Sequence, residues 1–254
     1  MRISMTAWRR RLKNAMGRAP LGWVVYEGPS ALDGSPIVAI LTGVSKGSSN
    51  EKTADMLQCW ILPRDVSPVD AVKTGEDAAV CGDCRHRPTN GGSCYVKVFH
   101  GPRSVWSAYK RGRYSRDFKP EMLAGAVVRF GSWGDPAAVP WSVWAPMVEH
   151  CSSWTGYTHQ WRNLPEQWAG AFMASTDGPG EYWAAKSQGW RCFHVGRIPD
   201  APIKTCPASE EAGYLLTCDA CRACNGTALG KLKRRPDIQI LPHGAKAKRF
   251  QPAQ

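Results

Sequence analysis

The sequence predicts an α/β protein: a parallel (βα) barrel, complete or partial, with an N-terminal β-hairpin and cysteine-rich metal-binding loops. From Cys94 onward, short β-type runs alternate with helical segments of about ten residues, which is typical of parallel β-α-β units. Polar residues follow several of these runs, where barrels of this kind carry their sites. An open doubly wound sheet is the second choice of architecture.

The hairpin is predicted from two β-type runs, Trp23–Tyr26 and Ile37–Leu41. The Gly-, Pro- and Asp-containing segment Gly28–Gly34 joins them and is typical of a turn. Met56–Leu62 is a third candidate strand. The later elements follow as strands at Cys94–Phe99, Ala126–Phe130, Gly156–Thr158, Ala171–Ala174, Arg191–Val195, Ile203–Thr205 and Ile238–Leu241, and helices at Pro102–Lys110, Trp141–His150 and Glu181–Gln188.

The domain organisation follows from length and composition. A chain of 254 residues with 43% hydrophobic residues can form one large packed domain. We expect a basic N-terminal segment at 1–20, a single α/β domain at 21–244 and a basic tail at 245–254. The cysteine-rich loops of that domain are residues 81–94 and 206–224.

The net charge of +12 is concentrated in three segments, Met1–Pro20, Gly101–Lys119 and Lys231–Arg249. Such clustering is typical of a polyanion-binding surface, although charged termini of a soluble basic protein have the same composition. In the middle segment, basic residues alternate with aromatic ones, as in grooves that bind single-stranded nucleic acid. An amphipathic helix with its aromatic residues in the core is the alternative. The candidate nucleic-acid-binding residues are Arg103, Trp106, Lys110, Arg111, Arg113 and Arg116.

The ten cysteines do not have the distribution of a disulfide framework, because most occur in CxxC pairs. No signal-peptide pattern follows the basic N-terminus, and no apolar run approaches the length of a membrane span. We therefore expect a cytoplasmic protein that does not enter a membrane.

Cys206, Cys218, Cys221 and Cys224 are the strongest local signal. Two CxxC steps that share a central cysteine bring three thiolates near one inorganic centre, and Cys206 can complete the set. Four thiolates suit either an iron–sulfur cluster or a tetrahedral zinc ion. The spacing predicts a metal centre without distinguishing the two.

Cys81, Cys84 and Cys94 form a second predicted metal site. Three cysteines leave one coordination position open, as a reactive site requires. The fourth ligand could instead be His86, Cys59 or Cys151, which would close the site.

Four residues are candidates for acid–base catalysis because each follows a predicted strand: Asp135, Asp177, His159 and His243. Aspartate next to glycine is also common in turns. Their shared strand-end position is what favours a common pocket.

The order of these motifs resembles the gene-product-88-like family of bacteriophage proteins. The matching stretches span most of residues 50–244: Asn50–Thr53, Cys81–Cys84 with Cys94–Val96, Gly134–Pro136, Cys206–Ala208, Cys218–Cys224 and Pro242–Gly244. The resemblance implies a phage or prophage origin, hence the cytoplasm of an infected or lysogenic bacterium. It implies no particular activity.

Two looser similarities concern enzymes. The three-cysteine set on a predicted barrel is similar to radical S-adenosylmethionine enzymes, with Cys81-x2-Cys84-x9-Cys94 in place of their usual CxxxCxxC. That similarity implies S-adenosylmethionine as a possible cofactor. Cys218, Cys221, Cys224 and His243 are similar in composition to the zinc site of tRNA-guanine transglycosylase-like barrels.

The leading hypothesis is thus a phage-encoded iron–sulfur enzyme, with radical chemistry as one form of it, that modifies a nucleic-acid base or a nucleotide. One alternative is a zinc-containing base-exchange enzyme that uses Asp135 or Asp177. The other is a zinc-stabilised nucleic-acid-binding protein without catalysis.

Overall fold

The computed structural model describes residues 3–47, 50–227 and 235–253. Lys231, Lys233 and Arg234 of the C-terminal basic segment lie outside the described residues, as do residues 1, 2 and 254 of the predicted basic ends. The chain forms two compact units: residues up to Gly82 with Lys97–Trp154, and Asp83–Val96 with the residues from Thr155 onward.

The first unit contains a five-stranded sheet in the order β1-β2-β3-β4-β5. β1 and β2 form the predicted antiparallel hairpin, β2 pairs antiparallel with β3, and β3 pairs parallel with β4. β2 is buried from Ile37 to Leu41, so its continuous apolar run matches a central strand covered on both faces. The strands are β1 (Gly22–Pro29), β2 (Pro36–Thr42), β3 (Leu57–Pro63), β4 (Val127–Trp133) and β5 (Ser153–Thr155).

Five α-helices belong to the described part of this unit. The first lies within the predicted basic N-terminal segment, where Ser4 Oγ accepts a hydrogen bond from the Ala7 N–H at its start. Met5, Trp8 and Leu12 are buried along one side, at the spacing of an amphipathic helix. The helices are α1 (Met5–Met16), α2 (Pro68–Thr74), α3 (Ala78–Cys81), α4 (Gly101–Lys110) and α5 (Trp141–His150).

The second unit is an open five-stranded sheet in the order β6-β7-β8-β10-β9, and every pairing in it is parallel. The strands are β6 (Tyr157–Thr158), β7 (Met173–Thr176), β8 (Cys192–Val195), β9 (Ile203–Thr205) and β10 (Asp237–Ile240), and the helices are α6 (Gln167–Ala171), α7 (Pro179–Ser187) and α8 (Cys218–Cys221).

The prediction of a parallel barrel, complete or partial, is wrong. The first sheet is mostly antiparallel, the second is open, and no closed barrel forms within the described part of the chain. Strand–helix alternation gives parallel pairing within each unit, at β3–β4 and from β6 onward. It carries no information about whether consecutive strands join one sheet or two, because that choice depends on long-range pairing.

Two local predictions also fail. Cys94–Phe99 forms no strand, and the strand expected at Ala171–Ala174 begins at Met173, after Ala171 ends α6.

No helix among the described residues is both long and apolar enough to cross a lipid bilayer.

Candidate functional site

Two of the predicted catalytic residues come together in the second unit, at the ends of neighbouring strands. His159 follows β6 and Asp177 follows β7, and these strands pair in parallel with Tyr157 opposite Met173. Because both strands run in the same direction, the residues after them lie at the same edge of the sheet, where open α/β sheets place their ligands.

His86, from the segment Asp83–Val96, completes this cluster. Its Nε2 lies 3.0 Å from Asp177 Oδ1, and Nε2 of His159 lies 3.7 Å from Asp177 Oδ2. The two imidazole rings meet edge to face, with centroids 5.2 Å apart. One ligand-type atom from each of the three side chains lies within 4.8 Å of the other two. We call these three residues the His–His–Asp cluster.

The electrostatics of the cluster favour an ionised Asp177, although its side chain is only 1% exposed. Burial raises the pKa of this carboxyl group, but the hydrogen bond from His86 and the charges of His159, His86 and Arg85 lower it, and the net shift is downward. The Asp177 N–H donates to Glu181 Oε2 at 2.8 Å, and Glu181 in turn pairs with Arg162 at 2.7 Å. The backbone that carries the carboxylate is therefore anchored.

His86 is held on its other side. Its Nδ1 lies 2.6 Å from Ser93 Oγ, and the Cys94 N–H donates to the His86 carbonyl group at 2.9 Å. Phe250 stacks on the imidazole with 16° between the ring planes. From the sequence, His86 is a candidate only for the fourth ligand of the three-cysteine set. Its position beside a CxxC pair was a signal for metal chemistry, but not for contact with residues 159 and 177.

His194 on β8 lies next to this region and was not singled out from the sequence. Its Nδ1 is 3.0 Å from Thr176 Oγ1, and the residue is 2% exposed. Burial lowers the pKa of His194, while the charges of Asp177 and Glu181 raise it, and the net shift is downward. An isolated histidine in a strand gives no sequence signal that separates a core position from a functional one.

The four cysteines of the 206–224 set belong to the second unit, and two of them are buried. Cys206 directly follows β9 and donates its N–H to Gln239 of β10 at 2.8 Å. Cys206 and Cys224 are both buried and pack in one apolar cluster with Ile238 and Ile240. Parallel pairing of β9 and β10 thus fixes the strand-end cysteine beside the core that also holds Cys224.

The pKa of the Cys224 thiol is affected by the other three cysteines of the set. Burial is the largest cause that raises its pKa far above the usual range, and a hydrogen bond from Tyr157 lowers it. Three neighbouring thiols raise the pKa further: Cys206, Cys218 and Cys221. Cys206, Cys218 and Cys224 thus border one apolar cluster, whereas a metal at the four-cysteine set stays a prediction.

Arg191 lies beside this set, just before β8. Its guanidinium group donates to the carbonyl oxygens of Ala223 at 2.9 Å and Gly226 at 2.6 Å, and also to that of Pro236. Arg191 is 7% exposed, and burial lowers its pKa while the charge of Cys224 raises it. This arginine connects the Cys224 segment to the start of β10.

The three cysteines of the other predicted site are half-buried. Cys81 ends α3 in the first unit, and its N–H donates to the Asp77 carbonyl group at 2.9 Å. Cys84 and Cys94 lie in the segment Asp83–Val96 of the second unit. No disulfide forms among the ten cysteines, all of which are in the described part of the chain. A metal at Cys81, Cys84 and Cys94 stays a prediction.

Asp135 and His243 do not join the His–His–Asp cluster in the part of the chain that the structure describes. Asp135 follows β4 in the first unit, where its Oδ1 accepts from the Ala137 N–H at 2.9 Å and caps a short 3-10 turn. His243 is exposed at the other end of the chain; its ring lies 4.8 Å from that of Tyr95. Asp135 thus performs the turn-capping role that aspartate often has.

The predicted nucleic-acid-binding segment forms α4 and the loop that follows it. Arg103, Lys110, Arg111, Arg113 and Arg116 are exposed, and Arg116 pairs with Glu27 at 2.7 Å. The aromatic residues are less exposed: Trp106 is half-buried and its indole N–H donates to the Arg64 carbonyl group at 3.2 Å, and Tyr114 is buried. The exposed chemistry of this segment is therefore basic rather than aromatic.

Comparisons with protein-family models, with curated proteins and with solved structures gave no match for this chain. The resemblance to the gene-product-88-like phage family therefore stays a prediction.

Proposed function

We propose that the protein is a metalloenzyme whose second unit holds a cysteine-bound centre, an iron–sulfur cluster or zinc, and whose substrate is a nucleic acid or a nucleotide. The observation that carries the proposal is the convergence of Cys206, from the end of β9, on the segment Cys218–Cys224. Cys206, Cys218 and Cys224 border one apolar cluster, and together with Cys221 they have the composition of a closed four-thiolate metal centre.

The physical case for a metal is the chemistry of the donor set. Burial favours the protonated thiol of Cys224, whereas a bound cation deprotonates the thiols that coordinate it and compensates the charge of the resulting thiolates. The Arg191 guanidinium group adds positive charge next to Cys224 but touches backbone carbonyl groups rather than sulfur. A metal is the natural partner of the four sulfur atoms.

The catalytic part of the proposal is assigned to the His–His–Asp cluster. Imidazole and carboxylate groups at this distance serve either general acid–base catalysis or metal-assisted catalysis. The side chain of His159 is 25% exposed and is the part of the cluster nearest to solvent, whereas its Nε2 is buried against Asp177. S-Adenosylmethionine is left out of the proposal, because the barrel on which that expectation depends does not form.

The substrate class is supported by the exposed basic residues of α4 and its following loop. Lysine and arginine side chains bind phosphates of a nucleic acid without reading its sequence. Because the aromatic rings of this segment are engaged in the first unit, we expect binding to be electrostatic and not to depend on base stacking.

Anaerobic purification followed by metal analysis tests the cysteine centre. Iron with acid-labile sulfide would identify a cluster, and stoichiometric zinc in a colourless protein would identify a zinc site. Cys221→Ser should lose the metal and most of the soluble protein, since metal binding and folding are coupled. The matched control is Cys192→Ser, a buried thiol in neither predicted set, which donates to the Tyr182 carbonyl group. Equal metal content in wild type and Cys221→Ser would refute the proposed centre.

Salt-dependent binding to single-stranded DNA and RNA tests the substrate class. Replacing Arg111 and Arg113 together by alanine should weaken binding and reduce the salt slope by up to about two phosphate contacts. The control is a double alanine variant of two exposed basic residues in the second unit, Arg197 and Lys204. The full chain is used because α1 contributes buried residues. Absence of binding at low salt would favour a small-molecule substrate.

A further inference from the structure

We propose that the His–His–Asp cluster is a second metal site, which binds one divalent transition-metal ion through Nε2 of His86, Nε2 of His159 and the carboxylate of Asp177. This site is separate in its ligands from the four-cysteine centre. It involves nitrogen and oxygen donors only, and the proposal does not depend on what the cysteines bind.

The distances between the donor atoms fit a common ion. Two ligands bonded at about 2.1 Å and separated by an angle of about 90–110° lie about 3.0–3.4 Å apart. Nε2 of His86 and Oδ1 of Asp177 are 3.0 Å apart, within that range. Nε2 of His159 and Oδ2 of Asp177 are 3.7 Å apart, and the ligand atoms of all three residues lie within 4.8 Å of one another.

The charge of the cluster also favours a cation. Asp177 is almost completely buried, and a buried carboxylate is costly unless a positive charge compensates it. Its direct side-chain contacts among the described residues are imidazoles, which are neutral when they coordinate a metal. A divalent ion between the three side chains would place positive charge directly beside this buried carboxylate.

The surroundings of the cluster have the features of an outer coordination shell. A metal-bound histidine usually uses its second ring nitrogen for a hydrogen bond that fixes the ring, and His86 has Ser93 Oγ at that nitrogen. Asp177 is anchored through its own N–H by Glu181. Both ligands are therefore oriented by groups that would not themselves touch the metal.

The ligand set indicates which metals fit. Two histidines and one carboxylate with open positions are typical of non-haem iron(II), and the same donors suit zinc and manganese. Three protein ligands leave at least one position for water or substrate, which is the condition for a reactive rather than a structural site. The structure assigns this site to a catalytic divalent ion, with His86, His159 and Asp177 as its ligands.

Manganese(II) is the probe of choice, because it prefers nitrogen and oxygen donors and competes poorly for thiolates. The full-length protein is dialysed against citrate, and its iron and zinc contents are recorded. Manganese(II) is then added, and the bound ions are counted by electron paramagnetic resonance. We expect one manganese ion per wild-type chain. Asp177→Asn and His159→Ala should each weaken binding by at least about tenfold, and Ser93→Ala by about tenfold or more.

The matched control is His150→Ala in the first unit, where a histidine also lies near a carboxylate, with His150 Nε2 3.9 Å from Glu121 Oε1. It should bind manganese as the wild type does. If Asp177→Asn does not fold, His159→Ala carries the test, because that side chain is partly exposed. Absence of manganese binding in the wild type, or unchanged binding in His159→Ala, would overturn the proposal and leave a His–Asp acid–base pair. The iron and zinc contents report on the cysteine centre separately, so the two proposals can fail independently.

Discussion

Replacing Arg191 by lysine tests whether one buried guanidinium group holds the four-cysteine segment against the sheet. Arg191 donates to three carbonyl groups, two of them, Ala223 and Gly226, in or just after the Cys218–Cys224 segment, and the third at Pro236, just before β10. The planar guanidinium group can bond to three acceptors at once, whereas an ammonium group is a compact charge.

The expected loss follows from these bonds. A hydrogen bond from a charged donor contributes about 1.5–3 kcal/mol. Lysine keeps the positive charge and can reach one of the three carbonyl groups, so about two such bonds are lost. Water can hydrate some of the carbonyl groups that lose their donor. We therefore expect the free energy of unfolding to fall by about 3 kcal/mol, the lower end of the range for two such hydrogen bonds. A metal bound at Cys224 should be held about tenfold more weakly, as when other groups around metal ligands are removed.

Urea unfolding followed by circular dichroism measures the stability, and transfer of metal to a chromogenic chelator measures the affinity. Arg197→Lys is the matched control, because Arg197 is exposed in the same unit. An Arg191→Lys protein that unfolds within about 0.5 kcal/mol of the wild type, the range of ordinary surface substitutions, would refute the reasoning.

Three further predictions concern the second unit. The pKa of His194 is lowered in the folded state, so as pH falls below its unfolded value of 6.5 the unfolded chain takes up a proton that the folded chain excludes. Stability should therefore fall by up to about 1.4 kcal/mol per pH unit from this residue, and urea unfolding of His194→Gln should show a shallower decline. Tyr182→Phe removes a 2.9 Å hydrogen bond to the buried Asp237 carboxylate and should cost about 1.5–3 kcal/mol in urea, whereas an equal loss in the exposed Tyr214→Phe would contradict that assignment. In Gly178→Ala the new Cβ would collide with the Ala253 carbonyl group, so the Ala253 amide, which donates to the Asp177 carbonyl group at 2.9 Å, should exchange its hydrogen faster; unchanged exchange would contradict this contact.

Local sequence patterns were sufficient for many of the elements. The turn residues of Gly28–Gly34 predict the hairpin, and the helix predicted at Trp141–His150 and the strand predicted at Ile203–Thr205 have those bounds in the structure. These elements depend on neighbouring residues, so periodicity and turn chemistry are enough to place them. The helix at Met5–Met16 was missed because its apolar spacing lies among many basic residues.

The arrangement of the strands could not be predicted from the sequence. An alternating pattern is the same for a barrel, for one open sheet and for two sheets, and the choice between them is made by pairing between strands distant in the chain. A run of six residues such as Cys94–Phe99 can be apolar and β-branched enough for a strand and still form none, because a strand needs a partner for its hydrogen bonds.

The sequence by itself determined which residues could do chemistry: the CxxCxxC spacing, and the polar residues that follow β-type runs. The tertiary structure decided which of them meet. Parallel pairing of β6 with β7 puts His159 beside Asp177, and pairing of β9 with β10 seats Cys206 in the core that holds Cys224. His86 joins from a segment 91 residues away in the chain from Asp177. Ligand spacing within one turn is a local property that the sequence displays, whereas contact between strand ends depends on the register and order of a sheet, which are fixed only when the whole unit folds.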